Sequence, residues 1–203
     1  MNTNQSIART AILDAVQKNQ PDPRPMPLIP HFGLNETGDL IDPFRKGVAR
    51  MAGKAISDAG SDLDAFVRNS FPDAKVICSA VPECNGTMRP ADLGLWSEAG
   101  NIDVAIVRSP MGVAETGSVL LSDRDLHVNT IAFLSRDLVV LLDPTHIVRN
   151  IHDAYRHPDF ASQLYSVLMT GPSGSGDIGA ITVHPAQGVR SLTVILTALP
   201  VVS

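Results

Sequence analysis

Residues 138–142 read LVVLL, five apolar residues with no polar break. A strand with one wet face alternates apolar and polar. An unbroken run is the pattern of a strand covered on both faces, as in a sheet sandwiched between layers. Reading outward, similar β-rich runs occupy 75–81 (KVICSAV), 103–108 (DVAIVR), 118–122 (SVLLS), 130–134 (TIAFL), 166–170 (SVLMT) and 192–197 (LTVILT). Helical periodicity appears between them. Over 45–68, Val48, Met51, Ala52, Ala55, Ile56, Leu63, Phe66 and Val67 recur at helical spacing, with Gly60 as a breaking point. Over 145–156, Ile147, Val148, Ile151 and Tyr155 share one side, and 176–180 reads as a short helix. Strands with interleaved helices predict a three-layer α/β domain with a largely parallel sheet. The crowding of runs within 103–142 predicts that part of the sheet is antiparallel or hairpin-connected.

The chain has 203 residues, of which 44% are hydrophobic and 18% charged, enough apolar content for a sizeable core. Its net charge is -5, and 12 of its 16 basic residues are Arg. That balance argues against nucleic acid as a partner, since such proteins carry a basic face or tail. No apolar stretch reaches the 18 or more residues of a membrane span, so no membrane insertion is expected. Met1 to Gln20 shows no apolar signal-peptide core, and the expectation is a cytoplasmic protein. Cys78 and Cys84, the only cysteines, are too few for a zinc or iron–sulfur site and read as buried, idle thiols. The six histidines show no metal-binding spacing, so no metal is expected.

The N-terminus reads as an appendage. Residues 5–18 place Ile7, Ala11, Ile12 and Val16 on an expected amphipathic helix. Residues 21–30 (PDPRPMPLIP) hold five prolines, which no helix or central strand tolerates. The expected division is therefore 1–44, a helix and proline-rich arm, and 45–203, the α/β domain.

Three constellations carry chemistry. In Pro110-Met111-Gly112-Val113-Ala114-Glu115-Thr116-Gly117-Ser118, a glutamate sits in a small-residue turn between apolar strands. Glu115 is either a base, nucleophile or ligand anchor, or a hairpin residue bonded to nearby amides. Gly112 and Gly117 admit close backbone approach to a ligand. In Thr170-Gly171-Pro172-Ser173-Gly174-Ser175-Gly176-Asp177-Ile178, a Gly/Ser loop leads from a strand to an expected helix. Free N–H groups, hydroxyls and a helix N-terminus favour an anion there. The plainer reading is a turn with Asp177 as helix cap. Neither a Walker A loop nor a nucleophile elbow fits. In His184-Pro185-Ala186-Gln187-Gly188-Val189-Arg190, His184 and Arg190 bring a titratable ring and a positive charge to one rim, or are merely solvated.

The second block, followed by Gly188-Val189-Arg190 and LTVIL, resembles the signature of the lactate-utilisation (LUD) domain family. Ala114-Glu115-Thr116-Gly117-Ser118 matches that family's other signature, in the right order and separation. The resemblance runs from about residue 45 to the C-terminus. It implies a fold like the NagB/RpiA/CoA-transferase group, a three-layer Rossmann-like α/β sandwich, and a role in oxidising L-lactate to pyruvate. It also implies iron–sulfur partner subunits, because this chain has no cluster of its own. Many members carry a His just before the strand at 138–142, where this chain reads Ser135-Arg136-Asp137.

On the leading reading, the chain is a non-redox subunit of an L-lactate oxidation system that binds a small carboxylate or phosphate. Glu115, Thr116 and Gly117 line one side of the pocket. Gly171, Ser173, Ser175 and Asp177 line the other, with His184 and Arg190 at the rim. One alternative is a free-standing CoA-transferase-like enzyme with Glu115 as nucleophile. The other is an interaction module that docks through residues 1–30.

Overall fold

Five parallel strands form the centre of the computed structural model: β1 (Lys54–Ile56), β2 (Ile77–Ser79), β3 (Val104–Ser109), β6 (Asp137–Leu142) and β11 (Ser191–Leu196). The structure describes residues 3–22, 24, 25, 27, 28, 30, 38–57, 59, 60, 62–172, 174–178, 181–183 and 188–198. The sheet order is β1-β11-β6-β3-β2. The chain starts at one edge, crosses to the other, and then walks back strand by strand. Right-handed crossovers require the outward and return connections to use opposite faces. Helix α3 (Leu63–Ser70), in the outward connection, covers one face alone. The later connections lie mainly on the other face with helix α2 (Ile41–Arg50), although Val81 and Cys84, just after β2, pack on the α3 side.

The unbroken apolar runs follow from this burial on both sides. Along β3 and β6, Ala105, Val107, Leu138, Val140 and Leu142 join the cluster on the α2 face. Their neighbours Val104, Ile106, Val139 and Leu141 join the cluster on the α3 face. Fully burying one such side chain contributes roughly 1.5–3 kcal/mol.

A second, four-stranded sheet lies within the later connections. It is made of β4 (Gly112–Val113), β5 (Ser118–Ser122), β7 (Ile147–Val148) and β8 (Ser166–Met169), in the order β7-β4-β5-β8. β4 and β5 pair antiparallel, so the expected hairpin is present. The short helices α4 (Asp123–Leu126) and α5 (Ile131–Leu134) lead from β5 to β6. Helices α6 (Ile151–Arg156) and α7 (Pro158–Ala161) follow β7, and Ala154 and Phe160 cover the outer face of this sheet. Strands β9 (Ser175–Ile178) and β10 (Ile181–Val183) form an antiparallel pair.

Four local expectations change. The helix expected over 45–68 is two helices separated by β1: α2 ends at Arg50, and Ala52, at φ 63°, turns the chain into the strand. Residues 130–134 form α5, not a strand, because a short apolar run has no decisive period. The helix over 145–156 begins only at Ile151, because the Asn150 side chain caps it by accepting from Asp153 N. The short helix over 176–180 is replaced by β9; the glycines and β-branched residues of SGDIGAITV disfavour helix and suit a hairpin.

Both cysteines are buried and free, and burial pushes both thiols up to about 11. The chain divides into two compact units, Met1–Glu36 and Thr37–Ser203. The first contains α1 (Thr3–Lys18). The expected stripe along it is not one face: Ile7 and Val16 are nine residues apart, about 180° around the axis, and both are exposed. The described residues between 21 and 30 carry no helix or strand.

Candidate functional site

The two signature blocks meet side by side. β5 pairs antiparallel with β8, with Val119 opposite Met169. This register sets Ser118, which leaves the Glu115 turn, beside Thr170, which enters the Gly/Ser loop. Their hydroxyls are hydrogen-bonded, and Ser118 Oγ also bonds Thr116 Oγ1 at 2.6 Å. Three hydroxyls thus form a chain from one block to the other.

Helix α2 locks this arrangement through glycines. Gly117 has φ +72°, and a Cβ there would fall 2.1 Å from Val48 N. A Cβ on Gly47 would fall 2.5 Å from Gly117 N, so helix and turn touch backbone to backbone. Gly171, at φ +71°, meets the end of the helix: its Cβ would lie 2.1 Å from Met51 O. At Gly112 a Cβ would fall 2.7 Å from Leu142 Cδ2 and 3.0 Å from Phe44 Cε2. The close approach that Gly112 and Gly117 were expected to give a ligand is given instead to packed protein, largely α2. The physical reason is that these positions face the buried layer between the helix and the second sheet.

Glu115 is exposed, and its carboxylate accepts from Ile151 N at 3.1 Å. It thereby satisfies one of the free N–H groups that open α6, across 36 residues of sequence. Arg50 Nη2 donates to the Glu115 carbonyl at 2.9 Å, and Glu115 N donates to Arg149 O at 3.0 Å. The geometry is that of the hairpin glutamate bonded to backbone amides, with the amide supplied by a distant element.

The Gly/Ser loop opens onto a cleft of about 390 Å³ lined by Phe133, Met169, Thr170, Gly171, Pro172, Gly188 and Val189. The end of β8 thus shares one cavity with the turn before β11. Thr170 is the one residue among these with a polar side chain, and no charged group is among them. The volume falls in the usual range for ligand sites. Ser175 and Asp177 lie on β9, so the loop precedes a strand and no helix N-terminus serves an anion there. Ser173 and His184 lie outside the described residues.

Arg190 does not reach into the cleft. Its Nη2 donates to Asp137 Oδ2 at 3.1 Å. Asp137, only 2% exposed, also accepts from Arg136 Nε and Ser191 Oγ. Nearby, Asp103 accepts from Lys75 N and Val76 N and pairs with Arg136. This network ties together the N-terminal ends of β3, β6 and β11, under the Gly188–Val189 side of the cleft. Asp137, with Phe133 on the wall, is the part that sequence reasoning missed. An acidic residue heading an apolar strand, Asp137-Leu138, was the available signal.

Among the described residues, no three His, Cys, Asp or Glu side chains converge to hold a metal ion, and no helix is long and apolar enough to cross a membrane.

The LUD domain family's sequence profile matches residues 64–197. No curated protein matches the chain. A crystal structure of a DUF162 family protein from Deinococcus radiodurans superposes with a TM-score of 0.57 at 13% identity, covering 77% of this chain and 95% of that one. At that identity the likeness speaks for the fold.

Proposed function

The chain belongs to the LUD domain family, and on that premise we propose that it is the small-anion-binding, non-redox subunit of an L-lactate oxidation system. The observation that supports this most is the joining of the two signature blocks through the hydroxyls of Thr116, Ser118 and Thr170, the last of which lines the cleft. A family signature that folded into two remote places would argue for two structural motifs. One that converges beside a cavity argues for a shared ligand. Thr170 supplies a hydroxyl donor at the cleft wall, and backbone amides of the Gly/Ser loop supply the rest. The cleft is larger than a three-carbon acid, so phosphate esters belong to the same ligand class. In this reading iron–sulfur partner subunits carry the electrons, because this chain's two cysteines cannot hold a cluster.

Thermal unfolding in L-lactate, pyruvate or phosphate tests the binding. A ligand at 100 times its dissociation constant adds about 2.7 kcal/mol. For a domain of this size that is a rise of about 5–11 °C in Tm. Thr170→Val, which keeps the shape and removes the hydroxyl, should cut the rise by at least half. No response to any anion refutes the binding role. L-lactate-dependent dye reduction by the partner subunits that proceeds unchanged without this chain refutes the subunit role.

A further inference from the structure

The α3 side of the parallel sheet has a cavity of its own. It measures about 190 Å³ and shares no lining residue with the cleft. It opens between the C-terminal end of α3 and the N-terminal ends of β1 and β11. Strand alternation sets its floor. Ile56 and Ile195 pack on the α3 side, so Lys54 and Thr193, each two residues earlier, lie on that side too. Lys54 and Thr193 are register partners and stand next to each other. Phe66, on α3, and Phe71, just after it, give the cavity aromatic walls. Phe71 is fixed by its own backbone, which donates to Val67 O at 2.9 Å and accepts from Ala74 N at 3.0 Å.

Two observations point to what this cavity takes. The first is an uncommitted hydroxyl. Thr193 is only 9% exposed, and its side chain makes no hydrogen bond among the described residues. A buried hydroxyl without a partner carries a free-energy penalty, and most buried polar groups have one. Ser191, also in the lining, is already engaged, since its hydroxyl donates to Asp137 Oδ1 at 2.6 Å. The second observation is charge. Lys54 is the one charged residue among the described lining, and no described carboxylate pairs with it. The nearby Asp137 is held by Arg136 and Arg190 instead. An ammonium and a hydroxyl side by side fit a carboxylate, one oxygen to each.

We propose that this cavity binds a small aromatic carboxylate. The ring packs against Phe66 and Phe71, and the carboxylate accepts from Lys54 Nζ and Thr193 Oγ1. The size agrees. An apolar cavity of about 150 Å³ holds a benzene ring, which leaves room here for a carboxyl group. Aromatic walls favour a ring over an aliphatic chain through edge and offset contacts. This site does not depend on the anion reading of the cleft, and the ring sets its ligand apart from the small acids assigned there.

Calorimetric titration of the full chain with benzoate, acetate and benzylamine is the test. Benzoate should bind about tenfold or more tightly than acetate, which carries the charge but leaves both phenylalanine walls uncovered. Benzylamine has the ring and the opposite charge, and should not bind, because it would face Lys54. Thr193→Val keeps the shape and removes the hydroxyl, and should weaken benzoate about tenfold. Lys54→Met removes a charge from a more exposed position and should weaken it about threefold. Thr170→Val, in the cleft, should leave benzoate affinity unchanged. If Thr193→Val does not fold, the exposed Lys54→Met decides. The proposal is overturned by no binding of benzoate, by equal affinity for benzoate and acetate, by benzylamine binding as well as benzoate, or by benzoate affinity unchanged in either folded variant. Affinity lost in Thr170→Val but kept in Lys54→Met puts the aromatic acid in the cleft, which upholds the cleft as an anion site and sinks this one.

Discussion

Replacing Gly117 with Ala should be the most damaging single-methyl change in the signature turn. Two effects combine. At φ +72° an alanine is in the left-handed region, which costs about 1–2 kcal/mol. Its Cβ would also lie 2.1 Å from Val48 N and 2.3 Å from Gly47 C, both backbone atoms that cannot rotate away. Helix α2 would have to back off the turn, at about 1–3 kcal/mol as in an overpacked core. The sum is about 2–5 kcal/mol, against a typical domain stability of about 5–15 kcal/mol. In a domain of this size that lowers Tm by about 4–20 °C. Two controls separate the effects. Gly60 has φ +77° and, among the described residues, nothing within 4 Å of a new Cβ, so Gly60→Ala should show the backbone cost alone. Gly47 has no left-handed φ and lies inside a helix, where Ala is favoured by about 1 kcal/mol. Gly47→Ala should nonetheless destabilise, since its Cβ would fall 2.5 Å from Gly117 N. Thermal and urea unfolding of the three variants gives the comparison. If Gly117→Ala loses no more than Gly60→Ala, or Gly47→Ala gains stability, then α2 does not rest on the turn as described.

Two other expectations concern the network under the cleft. Asp137→Ala should cost about 2–3 kcal/mol, because it removes a nearly fully buried carboxylate that accepts from Arg136, Arg190 and Ser191 together, whereas Arg190→Ala, with its side chain 57% exposed, should cost at most about 1 kcal/mol; equal losses in urea unfolding would contradict the burial argument. The backbone amides of Val76 and Lys75 hold the Asp103 carboxyl below its ordinary value, so its contribution is present above pH about 4 and fades as pH falls through the lower folded value. Asp103→Asn should therefore be less stable than the parent at pH 7 and equal to it near pH 2, as read from urea midpoints across the range; a constant gap at all pH values would exclude the titration.

The strands of the parallel sheet were legible in LVVLL, DVAIVR and LTVILT because burial on both faces leaves no room for polar alternation. The two signature blocks were equally legible as sequence, and their meeting was expected. What they do was less legible. The glycines at 112 and 117 read as openings for a ligand, because a missing Cβ looks the same whether a substrate or a helix fills the space. Only the three-dimensional path of α2 decides that it is a helix at 117. Likewise Glu115 read as nucleophile or as backbone acceptor, and the amide that it holds belongs to Ile151, 36 residues away. Short runs such as TIAFL and the Gly/Ser segment after Thr170 had no local preference strong enough to fix their form.

Sequence by itself determined the buried strands, the buried thiols and the family blocks, since each rests on residue chemistry or periods that are local. Tertiary structure alone decided the strand order, which face each connection takes, and which polar groups meet. Those depend on chain handedness and on contacts between residues far apart in sequence: Ser118 with Thr170, Asp137 with Arg190, and Glu83 with Arg108. No local pattern encodes such pairs, because neither member needs the other until the sheet has formed.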